Sequence, residues 1–320
     1  MWAESVPAIA FGSAVVAHAL MAFSAFCLCA SPSTSPSLSR KPELRAAAER
    51  HYYRSVSLLR ESLADVDVGG GDADVVLACA MVLIPCGLAL VRDGRGVLGY
   101  SRDWVWHLRG WRTVGARIYG GGGCVGSARG LIAYPQPGIP EGEDVLGVER
   151  GVGDVGDWTW TAEMPLMREI RGSWAGAMAR LRRAVDCRFE CRRCVVGDTN
   201  NNISDAAVYT SAITALEHVV AYILTHPVAN LFRAVFVWPI KVPPAFIELL
   251  LRQDGMALAI YAHWLVVTMA LEDLWWLKGF GSGQIEKLVE GVAGLREAGF
   301  DELLAWPIEM LDARRKDRGR

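Results

Sequence analysis

The sequence predicts an all-α protein, a single helical-bundle domain with a long irregular insertion. Apolar residues recur at three-to-four spacing or form uninterrupted runs, as they do on helices. No segment shows the convincing alternation of apolar and polar residues that is typical of strands. The 320 residues, of which 52% are hydrophobic, are enough to bury a large core.

The N-terminal third contains three predicted helices. The apolar stretch 8–30 fits either a weak membrane span or a buried amphipathic helix, and the Ser/Pro loop 31–40 ends it. Pro42 opens a second helix, whose apolar and charged residues lie on opposite faces. The third run, 75–91, has no charge and contains Pro85. We predict a kinked core helix there, since the run is short of the ~20 residues of a membrane span.

The middle of the chain is the predicted insertion, residues 120–160, which is rich in Gly, Pro and acidic residues. Gly121, Gly123 and Gly126 have the spacing of a dinucleotide-binding fingerprint. No strand precedes them, so no cofactor is predicted.

Two helices are predicted after the insertion, at 164–185 and 206–224. Between them, CRFECRRC places Cys187, Cys191 and Cys194 close together. A structural zinc site needs four ligands, so this segment is interpreted as the solvated basic end of a helix and no metal site is predicted.

One long helix is predicted from Asp254, which caps it, to Lys278, with Gly279 just beyond. Its residues 256–271 are apolar on all sides except at His263 and Thr268. Such a helix must be covered either by other helices or by lipid. The apolar run ends before Glu272 and is shorter than the ~20 residues of a membrane span. We therefore predict a buried core helix.

The C-terminal part contains a predicted amphipathic helix opening at Ser282 and an apolar segment at 303–311. The basic end, residues 313–320, is predicted to be a solvated, disordered tail.

The composition argues against several functions. A net charge of -2 gives no attraction to nucleic acid, and the eight irregularly placed cysteines indicate a reducing compartment. Nucleophile, metalloprotease and phosphate-loop motifs are missing. The six histidines are scattered, with no pair at metal-ligand spacing. We therefore predict no catalytic activity, no metal and no cofactor.

Several segments follow one another along the chain in an order that resembles a known protein family. ALMAFSAFCLC, HYYRSVSLLRESL, WHLRGW, WPIKVPPAFIELL and MALAIYAHWLVVTMALEDLWWLKGFG succeed one another along the chain. Together they resemble the C-terminal regulatory domain of fungal zinc-cluster transcription factors, in particular the sterol uptake control type. The resemblance covers most of the chain outside the insertion, and ends near LLAWPIEML.

The resemblance implies one all-α regulatory domain made of residues 1–119 and 161–312. It further implies a sterol or another apolar ligand, control of nuclear entry and of transcription, and contact with the transcription machinery or with a partner transcription factor. Homodimers are also expected. The family's six-cysteine zinc cluster is not found here, because CRFECRRC has half the thiols at a different spacing. The alternatives are a fragment of a longer protein and a regulator that reaches DNA through a partner.

The predicted ligand site lies on the central helix, with His263 as its polar anchor. Its apolar members are Leu258, Ala262, Leu265, Val266 and Met269. The loop 278–283 is the predicted gate, through Lys278, Gly279, Gly281 and Gly283. Simple core packing of these residues is the plainer interpretation. Two other classes stay open: a multi-span membrane protein, and a helical enzyme for an apolar metabolite with His263 as its base.

Overall fold

The computed structural model describes residues 2–30, 41–65, 72–93, 165–195, 200–225, 231–292 and 300–318. Over these ranges the chain forms eleven helices and no strand, which confirms the all-α fold class. The insertion at 120–160, with its three spaced glycines, lies outside the described residues, as does WHLRGW.

The helices are numbered in chain order: α1 Trp2–Gly12, α2 Ala14–Ala30, α3 Lys41–Asp65, α4 Asp72–Asp93, α5 Pro165–Val195, α6 Asn200–Thr225, α7 Leu231–Lys241, α8 Pro244–Leu251, α9 Gly255–Met269, α10 Phe280–Val292 and α11 Phe300–Arg318.

The described residues group into two compact units, where the sequence predicts one domain. The first unit contains α1, α2, α3 and the part of α4 that ends at Gly87. The second begins at Leu88 and contains the last turns of α4 together with α5 to α11.

In the first unit, α2 and α3 pack side by side, and α1 packs on α2. The predicted helix 8–30 is in fact parts of two helices, which are separated at Ser13: its amide donates to the Ala10 carbonyl at 3.3 Å, and its carbonyl accepts the amide of Ala17 at 2.9 Å. Small buried residues, among them Ala19, Ala22 and Ala48, let the backbones of α2 and α3 approach closely. This pair of helices is the best-defined contact in the unit.

In the second unit, α9 is the central helix. It contacts α6, α7, α8, α10 and α11, and every residue from Met256 to Met269 is buried. Asp254 caps it, as predicted, by accepting the amide of Ala257 at 3.0 Å. The prediction that protein covers this apolar helix is therefore confirmed.

The predicted end of the central helix is wrong. α9 stops at Met269 rather than at Lys278, and residues 270–279 form successive tight turns. These turns bring Glu272 back to the start of α10, where its side chain bonds Ser282. Gly279, at φ +71°, supplies the left-handed residue from which α10 starts.

The basic end of the chain also differs from the prediction. Residues 313–318 are not a disordered tail but the last turns of α11. Their arginines find acidic partners: Arg314 bonds Asp273 at 3.1 Å, and Arg318 bonds Glu272 at 2.9 Å. The acidic partners of these arginines lie in the turns after α9. The charge pattern of the tail alone therefore does not predict them.

A helix that crosses a membrane must be long and apolar. Within the described ranges, Asp205–Leu224 alone has the length and composition to cross one, a test that core helices of soluble proteins pass as well. The three apolar runs that would be the spans of a membrane protein, 8–30, 75–91 and 256–271, contain shorter apolar helices, Ala14–Ala30, Ala78–Leu90 and Gly255–Met269.

Candidate functional site

All of the predicted ligand-binding residues lie on α9 and are buried; they are Leu258, Ala262, His263, Leu265, Val266 and Met269. A helix turns by about 100° per residue, so residues close in sequence face different neighbours. The contacts of α9 show that these six side chains do not surround one common space.

His263 faces α11. Its ring stacks on Trp306 with the centroids 5.1 Å apart, and its Nδ1–H donates to the Ala259 carbonyl at 2.8 Å. Burial lowers the pKa of this imidazole to about 4, and the hydrogen bond to Ala259 only partly opposes that shift. His263 is therefore a neutral side chain whose Nδ1 proton is bonded within its own helix.

The opposite side of α9 packs on α10 at Gly281. A Cβ added to Gly281 would lie 2.5 Å from Thr268 Oγ1, 2.6 Å from the Leu265 carbonyl oxygen and 2.8 Å from Met269 Cγ. Leu265 is about 160° around the helix from His263. The predicted anchor and the closest point of the predicted gate thus lie on opposite sides of α9.

Tyr261 is a polar residue on the same side as Leu265, about 40° away around the helix. Its hydroxyl is buried and has no hydrogen-bond partner among the residues that the structure describes. Burial alone raises the pKa of this phenol. Tyr261 is absent from the predicted site, although a tyrosine inside an otherwise apolar helical run is a signal that the sequence does contain.

Aromatic side chains surround Tyr261. Its ring stacks on Trp264 at 5.5 Å and on Trp238 at 6.5 Å between centroids. Both indole N–H groups are satisfied: Trp238 donates to the Ala212 carbonyl and Trp264 to the Val235 carbonyl, each at 2.9 Å. Within the described part of the chain, the Tyr261 hydroxyl is thus a donor and acceptor without a partner in an apolar, aromatic setting.

The predicted gate is divided by the start of α10. Lys278 and Gly279 lie in the preceding turns, whereas Gly281 and Gly283 are helical. Gly281 is pressed against α9, but nothing lies within 4 Å of a Cβ at Gly283. The four residues therefore have different surroundings and do not form one flexible loop.

The buried carboxylate of Glu272 is hydrogen-bonded to both α10 and α11. Glu272 accepts the Ser282 amide at 2.7 Å and its hydroxyl at 2.8 Å, and Arg318 donates to the second oxygen at 2.9 Å. Burial raises the pKa of the Glu272 carboxyl, while the bonds from Ser282 and the charges of Arg318 and Arg314 act in the opposite direction. The network joins the turns after α9 to the start of α10 and the end of α11.

No group of three or more His, Cys, Asp or Glu side chains suited to a metal occurs in the described ranges. The structure does bring His18 and His51 together, with their Nδ1 atoms 2.7 Å apart. The two histidines are 33 residues apart in the sequence, and only the packing of α2 on α3 brings them together. The sequence alone therefore does not predict the pair.

Comparison of the chain with protein-family models, with curated proteins and with solved structures finds no match.

Proposed function

We propose that this chain is a non-catalytic regulatory domain of a fungal transcription factor, which binds a sterol or a similar apolar effector in its second unit. In this proposal it acts in the nucleus with the transcription machinery or a partner transcription factor. Homodimers are part of the proposal, and DNA is reached through the partner.

The observation that carries the proposal is the unpartnered hydroxyl of Tyr261 inside a helical core. An unsatisfied buried hydroxyl costs about 1–3 kcal/mol, which a ligand with one polar group would recover. Sterols combine a large apolar body with a single hydroxyl. The satisfied indoles of Trp238 and Trp264 offer flat apolar surfaces beside it.

His263 supports a role without catalysis. Its Nδ1 proton is committed to Ala259, and its ring lies against Trp306. A general base needs a pKa near the working pH, whereas that of His263 is lowered to about 4. In the proposed function Tyr261 therefore replaces His263 as the polar anchor.

The mechanism is a shift between two packings of α10 on α9. Room for an effector beside Tyr261 and Leu265 requires α10 to move away, because Gly281 now touches α9. The hydrogen bonds that Ser282 donates to Glu272 oppose this movement. An effector that binds the opened packing more tightly shifts the population toward it by its difference in affinity.

Thermal unfolding of the full chain tests the proposal, with ergosterol and, as control, its acetate ester, both delivered in the same carrier. Ergosterol should raise Tm with concentration, because a ligand that binds the folded state stabilises it. The ester, whose hydroxyl is blocked, and the variant Tyr261→Phe should each give a smaller shift. No shift with ergosterol at any concentration contradicts sterol binding, and equal shifts in wild type and Tyr261→Phe contradict the anchor.

A further inference from the structure

The histidine pair in the first unit is not used by the proposed function. His18 on α2 and His51 on α3 face each other, with their ring centroids 5.0 Å apart and their ring planes inclined by 34°. The Nδ1 atoms are 2.7 Å apart, so one ring donates the proton and the other accepts it. Both side chains are partly exposed, which makes them accessible to a solute.

A buried hydrogen bond joins α2 and α3 one helical turn away from the histidine pair. Ser55, one turn after His51, donates to the carbonyl of Val15, one turn before His18, at 2.9 Å. Cys79 of α4 lies 3.2 Å from the same hydroxyl. Because these groups are buried, the distance between α2 and α3 at the histidines is fixed by the interior of the unit.

The separation of the two nitrogens suits neighbouring positions around one metal ion. With metal–nitrogen bonds of about 2.0 Å and an angle of about 90°, two ligand nitrogens lie about 2.8 Å apart. The square or tetragonal geometry of nickel and copper has such angles, whereas a tetrahedral zinc site spreads its ligands further. The rings need only turn so that both lone pairs point to the ion.

We propose that His18 and His51 form a two-histidine site for a divalent transition metal, with nickel and copper the best fit. The ion takes the place of the shared proton, bridges α2 and α3, and completes its coordination with water.

The test measures Tm of the full chain against the concentration of nickel chloride near neutral pH. Wild type should show a rise of several degrees, which His18→Gln and His51→Gln abolish. His218→Gln, which removes an exposed histidine of α6, is the control and should keep the full rise. An unchanged rise in both pair variants, or no rise in wild type, overturns the site.

A second variant leaves both ligands intact. Arg54 is exposed and repels positive charge at His18, so Arg54→Gln should strengthen nickel binding and enlarge the rise in Tm. Arg60→Gln, an equal change of charge further along α3, should have less effect. A nickel response in Arg54→Gln that is no larger than in Arg60→Gln contradicts an ion at His18.

If the pair variants do not fold, the imidazole NMR signals of the unmutated protein show whether nickel binds at His18 and His51. Paramagnetic nickel should broaden the signals of His18 and His51 before those of the other four histidines. Earlier broadening of any other histidine overturns the proposal. A strong thiolate absorption on adding nickel, which indicates binding at cysteines such as Cys27, overturns it as well.

Discussion

The buried carboxylate of Glu272 lies at the N-terminus of α10, where it accepts the backbone amide of Ser282 at 2.7 Å. The first amides of a helix have no partner within that helix, and the helix dipole favours a negative charge beside them. Glu272 therefore joins the chain after α9 to the helix that packs on it.

The titration of Glu272 gives a first prediction. Burial raises the pKa of this carboxyl above 4.5, so the folded state holds the proton more tightly than the unfolded chain. Relative to Glu272→Gln, wild type should lose stability as pH rises from 4.5 through the folded-state value. Tm measured against pH for both proteins checks this. Parallel curves would show that Glu272 titrates normally.

Gly281 gives a second prediction, because a methyl group there meets a backbone carbonyl that cannot move alone. Gly281→Ala should push α10 from α9 and lower the free energy of unfolding by about 1–3 kcal/mol. The matched control is Gly283→Ala, where nothing lies within 4 Å of the new Cβ. Alanine there should stabilise the helix by about 0.5–1 kcal/mol. Urea unfolding of both variants measures the difference, and equal effects would contradict the close packing.

The central helix could be predicted from the sequence, but the turns after it could not. An apolar run without a polar face has to be enclosed, and Asp254 is a recognisable cap, so the position and burial of α9 result from local patterns. The turns that follow α9 are joined to α10 by the bond between Glu272 and Ser282, ten residues away across a reversal of the chain. Periodicity contains no information about such a bond.

The candidate site, too, is predicted only in part from the sequence. The buried positions of α9 were predicted, but which of them face α10 and which face α11 is decided by long-range packing. The chemistry of His263 predicts a polar anchor, yet its ring stacks against Trp306 of α11. The Trp264 indole donates to the Val235 carbonyl, whereas the Tyr261 hydroxyl has no partner among the described residues, a difference that only the three-dimensional structure reveals.

A third prediction concerns His263, whose pKa is lowered from 6.5 to about 4. The folded state binds this proton less readily than the unfolded chain, so stability should fall as pH decreases from 6.5 toward 4. The loss amounts to about 3 kcal/mol over that interval. His263→Phe keeps a ring against Trp306 and cannot be protonated. Its stability should therefore depend less on pH, as measured by urea unfolding at each pH, and an unchanged dependence would assign the loss to other groups.

Two tyrosines that differ in hydrogen bonding give the last prediction. The Tyr209 hydroxyl donates to Asp254 at 2.7 Å, whereas that of Tyr261 has no partner among the described residues. Tyr209→Phe should therefore destabilise the protein by about 1–3 kcal/mol, because the carboxylate that caps α9 loses a donor.

Tyr261→Phe removes a polar atom that has no partner in the described ranges, so without ligand it should leave the free energy of unfolding unchanged or raise it by about 1 kcal/mol. Urea unfolding of the two variants side by side measures the contrast, since both changes delete the same single oxygen. A loss of stability in Tyr261→Phe as large as that in Tyr209→Phe would mean that the Tyr261 hydroxyl is already bonded within the protein. The oxygen would then have no capacity to hold an effector.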